Sequence, residues 1–217
     1  MKRRFKATNH ILNFLSVILG VYLAFYVNDQ AKLKEQRKEV RYFMNSLADE
    51  LSKDIEMLET YQIPFNRQQV ERLEELLVKL EEGDIPAVEA LLPTILELEN
   101  FGFTSTSYAA MKSSGKLGLV QDVSLQGHLT NYFDGHVEES FQKAELQVVY
   151  LTDEILPWLT QHVDLGQMRF VSRDAFLPFK NKLIIYSSLI SQKVDSYEIV
   201  VAEAKEVVTY LETHQQK

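Results

Sequence analysis

The chain has 217 residues, of which 46% are hydrophobic and none is Cys. This composition argues against a disordered chain, and the lack of Cys excludes a disulfide framework, a thiolate metal site and a Cys nucleophile. Eight Gly and five Pro are too few turn formers for a many-stranded sandwich or barrel.

The formal net charge of −8 combines two regions of opposite sign. Residues 1–27 contain four basic side chains and no acidic one, namely Lys2, Arg3, Arg4 and Lys6. Residues 28–217 contain all 31 acidic side chains and the other basic ones, so this part of the chain is strongly acidic. An acidic domain of this kind disfavours nucleic acid as a partner, because the phosphate backbone attracts basic surfaces.

An apolar run from Ile11 to Val27 follows the basic tail of residues 1–10. As a helix with a rise of ~1.5 Å per residue, this run is about 26 Å long, close to the ~30 Å hydrocarbon core of a bilayer. We predict a transmembrane helix over residues 11–27, with the lipid bilayer as its partner. A cleaved signal peptide and a buried core helix are the alternatives. The first is disfavoured because the run is long for a signal and no small-residue cleavage site follows it.

The basic tail predicts that the N-terminus lies inside and that the rest of the chain is exported. A second group of cations follows the span and favours the opposite orientation, with a cytoplasmic domain: Lys32, Lys34, Arg37, Lys38 and Arg41. We prefer the exported orientation because long domains cross membranes largely regardless of their charge.

Small or polar residues recur every four positions along the predicted span, at Ser16, Gly20, Ala24 and Asn28. Such a stripe lets transmembrane helices approach closely. It predicts packing between spans and a homo-oligomer, unless the stripe simply faces lipid.

The span is expected to continue as a rigid stalk and first helix over residues 28–61, which contain no Gly or Pro. Apolar residues recur there at an eleven-residue period, as in Leu33, Met44 and Ile55, which is typical of a nearly straight helix. Pro64 is expected to end this helix, because proline has no N–H to donate.

Later elements are also predicted to be helical. A second helix runs from Asn66 to Glu82 and stops at Gly83, and Asp84 caps a third piece that breaks at Pro93. A short helix spans 106–115, with Thr106 as N-cap and Gly115 as the left-handed C-terminal residue.

Asp122 is expected to cap a long helix with inward residues at spacings of three and four, namely Leu125, Leu129, Phe133, Val137, Phe141, Ala144, Val148, Leu151, Ile155 and Leu159. Pro157 is expected to kink this helix and Gly166 to close it. The last helix runs from about Pro178 to His214. Because no segment alternates with period two, we predict no sheet. The expected fold is all-α: an N-terminal transmembrane helix continuing into an antiparallel helical bundle over residues 28–217.

Two stretches together resemble a family of uncharacterised bacterial single-pass membrane proteins, seen mainly in bacteroidete-type bacteria. One is the run Val17–Asn28 with its Gly-x3-Ala-x3-Asn pattern, and the other is Tyr108–Val120, followed by the aromatic pair Tyr132-Phe133. The chain departs from the family at Asn28-Asp29-Gln30, where Asn-Asn-Trp is common. The resemblance implies an anchor in the bacterial inner membrane and a helical domain, and it implies no activity.

One group of residues is a candidate ligand or partner site, namely Lys112, Ser113, Ser114, Gly115, Lys116 and Tyr132. Gly127 and Gly135 lie nearby in the long helix, where each glycine costs about 1 kcal/mol relative to Ala. Either another backbone packs closely against these glycines, or a ligand groove lies beside them, floored by Tyr132 and rimmed by the two lysines.

Other chemical motifs are weaker. The segment Ala110–Lys116 resembles a phosphate loop but lacks the Ser or Thr that holds magnesium, and it follows a helix rather than a strand. His128, Tyr132 and His136 share a predicted helix face, but the two histidines are about 12 Å apart along the axis, too far for one metal ion. We therefore predict no metal and no cofactor.

The sequence favours a membrane-anchored helical interaction or scaffold module with an unknown protein partner. The alternative is a sensor-like bundle that binds a small ligand between helices and acts through a partner. An enzyme is not expected, because no combination of nucleophile, base and orienting group stands out.

Overall fold

The structure of the protein, a computed structural model, describes residues 2–172 and 176–214, with side chains for 13–172 and 176–213. The side chains of the predicted basic tail therefore lie outside the described residues. The helices are α1 (Lys2–Met57), α2 (Ile63–Glu82), α3 (Ile85–Leu91), α4 (Thr106–Ser113), α5 (Val123–Asn131), α6 (Glu138–Tyr150), α7 (Leu156–His162) and α8 (Phe176–His214). Wider π-turns occupy Leu58–Gln62, Tyr132–Val137 and Leu151–Ile155, and tighter 3₁₀ turns occupy Leu92–Leu96 and Lys116–Leu119. The prediction of an all-α fold is confirmed.

The sequence predicted that the first helix ends at Pro64, and this prediction was wrong. Asn13–Glu82 forms one continuous helical element, because the π-turn Leu58–Gln62 joins α1 to α2. In that turn the N–H of Ile63 donates to the carbonyl of Leu58, five residues back. The widened turn comes directly before the residue that lacks an N–H, so Pro64 fits into the first turn of α2 instead of breaking the rod.

The same arrangement recurs before Pro157. The π-turn Leu151–Ile155 ends with the N–H of Leu156 donating to the carbonyl of Leu151, and Pro157 then lies in the first turn of α7. The sequence predicted a kink at this proline, and its structural form is a π-turn.

Most of the predicted helix ends are confirmed. Gly83 and Gly115 are left-handed, with φ of 75° and 71°. The carboxylate of Asp122 accepts hydrogen bonds from the first turn of α5, and that of Asp84 accepts one from Ala87. At α4 the prediction was wrong, because the N-cap position is Ser105, which makes no side-chain cap.

One short antiparallel strand pair contradicts the prediction that the chain contains no sheet. Strands β1 (Val163–Asp164) and β2 (Arg169–Phe170) form a hairpin after α7. The carboxylate of Asp164 accepts hydrogen bonds from the N–H groups of Gly166 and Gln167. Gly166 therefore belongs to the hairpin turn, and the helix already ends at His162.

The central helix of the bundle is α8, which packs against α1, α2, α5 and α6. Its two halves belong to different hydrophobic clusters. The C-terminal half joins α1, α4 and α5 in a cluster that includes Leu47, Leu51 and Tyr197. We call it the proximal cluster, because it is the one that the exposed first part of α1 leads into. The N-terminal half joins α2, α3 and α7 in a distal cluster that includes Trp158 and Phe179.

The residues of α1 before the bundle are exposed. Side chains from Asn13 to Lys38 are solvent-exposed, and the first buried residue of α1 is Met44. Residues 28–38 therefore form an exposed helical stalk between the apolar run and the bundle. Because the apolar run is fully exposed, this chain does not bury it as a core helix.

Candidate functional site

The predicted ligand cluster around residues 112–116 lies at the C-terminal end of α4 and is held by ion pairs. Nζ of Lys112 is 2.6 Å from a carboxylate oxygen of Asp134, and this pairing lowers the pKa of Asp134. Nζ of Lys116 is 3.1 Å from a carboxylate oxygen of Glu39. Both lysines are thus already engaged by acidic side chains of the domain.

Ser113, Ser114 and Gly115 complete the end of α4. Both serine hydroxyls donate to the carbonyl of Ala110, and Gly115 provides the left-handed turn. These contacts explain the segment as a helix terminus, and its role in ligand binding stays a prediction.

Tyr132 does not lie at the floor of an open groove, which corrects the sequence interpretation. Its side chain is 1% exposed and belongs to the proximal cluster, in edge contact with Phe133. Its hydroxyl has no hydrogen-bond partner among the described residues. Burial, together with the charge of Asp54, raises the pKa of Tyr132. Tyr132 lies three residues after the fully buried Leu129, on the same face of the helix, and therefore packs into the core with it.

Neither glycine of the long helix is explained by the close approach of another backbone. A Cβ placed on Gly127 would meet no atom within 4 Å, and one placed on Gly135 would touch only the side chain of Asn131 in the same helix. Gly135 lies within the π-turn Tyr132–Val137, whereas Gly127 is an exposed helical residue.

Gly127→Ala is therefore expected to raise the free energy of unfolding by about 0.5–1 kcal/mol, since alanine favours the helix and nothing opposes its methyl group. Gly83→Ala is the matched control and should be destabilising, because Gly83 has a φ of 75°. Denaturant unfolding of both variants checks this. A lower stability for Gly127→Ala would show that the glycine serves a contact.

The predicted histidine face is also not formed. Tyr132 is buried, whereas the ring of His128 lies 5.9 Å from that of Tyr210 and Nε2 of His136 is 3.1 Å from the amide nitrogen of Asn131. Across the described residues, no group of three or more His, Asp or Glu side chains is arranged to hold a metal ion.

Sequence reasoning missed a buried polar layer between the two hydrophobic clusters. Its members are polar side chains of α2, α6 and α8 that are at most 3% exposed: Asn66, Gln69, Ser140, Gln147, Lys193 and Ser196. On α8 the layer follows Ile190 of the distal cluster and precedes Tyr197 of the proximal one.

Lys193 is the centre of this layer and is 0% exposed. Its ammonium donates to the carbonyl of Glu99 and to the side-chain oxygen of Asn100, each at 2.9 Å, and also to Oε1 of Gln147. Three acceptors match the three donors of an ammonium group. Burial lowers the pKa of Lys193 to about 7, and the charge of Glu99 offsets part of this effect.

An amine with a lowered pKa can act as a nucleophile or base. Here, however, all three of its hydrogens are directed at protein acceptors and the side chain is enclosed. Its hydrogen bonds instead link α8 to α6 and to the connector of residues 97–105, which precedes α4. Gln147 extends the network, because its amide donates to the hydroxyl of Tyr186 at 3.2 Å.

Two carboxylates of α1 hold the same connector from the other side. Asp54 accepts hydrogen bonds from the N–H and hydroxyl of Thr104 at 2.7 and 2.9 Å. Glu50 accepts from the N–H and hydroxyl of Ser107, so it caps α4 from a neighbouring helix. Burial raises the pKa of Asp54, and its hydrogen bonds with Thr104 oppose this rise.

A groove of about 530 Å³ lies where the stalk meets the bundle. We call it the stalk groove. Its walls come from α1, from the 3₁₀ turn Lys116–Leu119 with the loop and the start of α5 that follow it, and from the end of α8. Its lining includes Leu33, Arg37, Val40, Arg41, Leu119 and Leu211. This groove does not coincide with the predicted cluster at residues 112–116.

Comparisons of the chain with protein-family models, with curated proteins and with solved structures gave no match. Function is therefore inferred from the geometry of this chain alone.

Proposed function

We propose that the protein is a membrane-anchored helical interaction or scaffold module. One observation carries this proposal: the exposed apolar run belongs to a single helical rod, Asn13–Glu82, whose later turns are built into the bundle core. Between Phe14 and Val27 every large apolar side chain is about half exposed or more. A continuous apolar surface of this kind is typical of a membrane or partner contact.

A lipid bilayer is the partner that fits this surface best. The run is apolar on all sides and has the length of a spanning helix, whereas a protein partner would require only one apolar face. We propose a single pass in a bacterial inner membrane with the N-terminus inside and the domain outside the cytoplasm. The cations of the stalk support the reverse orientation, which is the alternative.

Self-association through the span is the second part of the proposal. Ser16, Gly20, Ala24 and Asn28 lie on one face of the uninterrupted helix, and a Cβ on Gly20 would meet no atom of its own chain. That face is thus open to a second copy, whose backbone could approach closely.

Gly20→Leu is expected to reduce self-association several-fold, because its side chain would separate two helices packed along this face. The chain contains no Cys, so Ala24→Cys introduces a unique thiol, and disulfide-linked dimers in native membranes report the contact. Val21→Leu adds bulk on another face and should leave dimer formation unchanged. Equal dimer yields for Ala24→Cys alone, with Gly20→Leu and with Val21→Leu would contradict packing through the stripe.

A sensor-like role is the alternative function, and the stalk groove is the observation that favours it. A ligand there would contact both α1 and α8, the helices that link the stalk to the core. We propose that such a protein would act through a partner.

A further inference from the structure

The connector of residues 97–105 is an irregular surface segment that covers the fully buried Lys193. It joins the 3₁₀ turn Leu92–Leu96 to α4 and contains no helix or strand. Asn100, which accepts a hydrogen bond from the ammonium of Lys193, is itself exposed. Glu99, whose carbonyl accepts another, is partly buried. On this side of the bundle, the connector therefore separates the ammonium from water.

Side chains from three helices hold the connector in place. Its start is held by the amide of Gln69 on α2, and its end by the carboxylate of Asp54 on α1. In the middle, the N–H of Phe101 donates to the hydroxyl of Tyr197 on α8 at 2.9 Å, close to the hydrogen bonds of Lys193. A segment that is held by a few side chains instead of a backbone ladder opens locally more readily than a core helix.

The ammonium of Lys193 is buried without an ion pair. No described carboxylate forms a salt bridge with it, and the other members of the polar layer, from α2, α6 and α8, are uncharged amides and hydroxyls. The charge of Glu99 acts on it. The remaining titratable groups around the layer are either paired or kept neutral by burial, which raises the pKa of the two tyrosines of α8: Arg72 with Glu97, Tyr61 with Glu99, Tyr186 and Tyr197.

A buried ammonium without an ion pair favours any state of the connector in which water reaches it. In the closed state, burial lowers the pKa of Lys193 to about 7, whereas a solvated lysine keeps its ordinary pKa of 10.5. Opening therefore takes up a proton at any pH between these two values. Below about pH 7 the lysine is protonated in both states and opening is easiest, and above it each pH unit increasingly favours the closed state.

We propose that the connector is a proton-sensitive latch, which opens locally more readily when Lys193 is protonated and closes more tightly when the amine is neutral. The connector leads into α4, and α4 packs on α1, the helix of the stalk. Opening at Lys193 would therefore loosen a link between α8 and the helix that carries the apolar run. This inference goes beyond the proposed function and does not depend on it.

Hydrogen exchange of the full chain in detergent micelles tests the latch. Mass spectrometry follows the amides of residues 97–105 between about pH 6 and pH 9, corrected for the intrinsic pH dependence of exchange. We expect their protection to be constant up to about pH 7 and then to rise by roughly tenfold per pH unit, because closing releases one proton. In Lys193→Met the protection should be the same at every pH.

The matched control is Asp54→Asn, which changes the other buried ionisable group that holds the connector and should keep the rise above pH 7. A flat profile in the native protein would overturn the latch without the need for any variant to fold. Equal protection of the connector and of the buried stripe from Leu183 to Ile190 would also overturn it, because the connector would then open only with the whole bundle. A rise that persists in Lys193→Met would overturn Lys193 as the group that takes up the proton.

Discussion

We expect the native protein to become more stable as the pH rises above about 7, and Lys193→Met to abolish this rise. Burial lowers the pKa of Lys193 from 10.5 to about 7 in the folded state. Between these two values the unfolded chain holds a proton that the folded protein has released, so stability increases with pH by up to ~1.4 kcal/mol per pH unit. Below about pH 7 both states are protonated, and the full penalty for burying the charge is present.

Denaturant unfolding at several pH values between about 7 and 9 measures this effect. The single tryptophan, Trp158, is buried in the distal cluster and reports unfolding by fluorescence. Lys53→Met is the control, because Lys53 is exposed and should leave the slope unchanged. If Lys193→Met keeps the native slope, the ammonium of Lys193 is not buried as described.

Leu19→Arg combined with Leu23→Arg is expected to release the protein from membranes. Each arginine near the centre of a spanning helix opposes insertion by about 2.5–3.5 kcal/mol, and the apolar run is only marginally long enough to cross a bilayer. Alkaline carbonate extraction measures the change: the native chain should stay with the membrane pellet and the double variant should move to the supernatant.

Gln30→Arg with Ala31→Arg is the control for this experiment. It adds the same charge to the exposed stalk, beyond the run that ends at Val27, and should leave the protein in the pellet. Release of both double variants would mean that charge alone, rather than the apolar span, governs membrane association.

The helical architecture could be predicted because its signals are local. The stripe of α8, from Leu183 to Leu211, consists of apolar residues at helical spacing, and nearly all of them are buried. Gly83, Gly115 and Asp122 mark helix ends through backbone and capping preferences that depend on a few neighbouring residues. These elements required no knowledge of tertiary contacts.

The π-turns could not be predicted, and they changed which residues face the core. Phe141 was expected to point inward but is 48% exposed, whereas Ser140 is fully buried. The π-turn Tyr132–Val137 inserts extra backbone and rotates the following turns. Gln147 then takes the buried position that the simple period had given to Val148.

The sequence does contain a signal for the polar layer, but a search for apolar spacing alone overlooks it. Lys193 lies three residues after Ile190 and four before Tyr197, in the middle of the buried stripe of α8. Asp54 likewise lies between Leu51 and Leu58 on α1. A charged residue at the centre of such a stripe indicates a buried partner, but its acceptors come from distant segments that only the fold brings together.

The candidate site required tertiary structure for the same reason. The stalk groove joins Arg37 and Arg41 of α1 with Leu119 and Leu211, which are far apart in the chain. The sequence placed its candidate ligand site at residues 112–116 and Tyr132, because the helical glycines Gly127 and Gly135 suggested a groove beside them. A groove built from distant segments leaves no comparable local signal.

Thiol accessibility in intact membranes tests the membrane anchor most directly. Val21 is 51% exposed on the protein itself, so Val21→Cys would react readily with a membrane-impermeant maleimide if this segment were in water. We expect Val21→Cys to stay unlabelled and Glu74→Cys, on the exposed surface of α2, to be labelled from the outer side of the inner membrane. Labelling of Val21→Cys as fast as that of Glu74→Cys would contradict the transmembrane anchor.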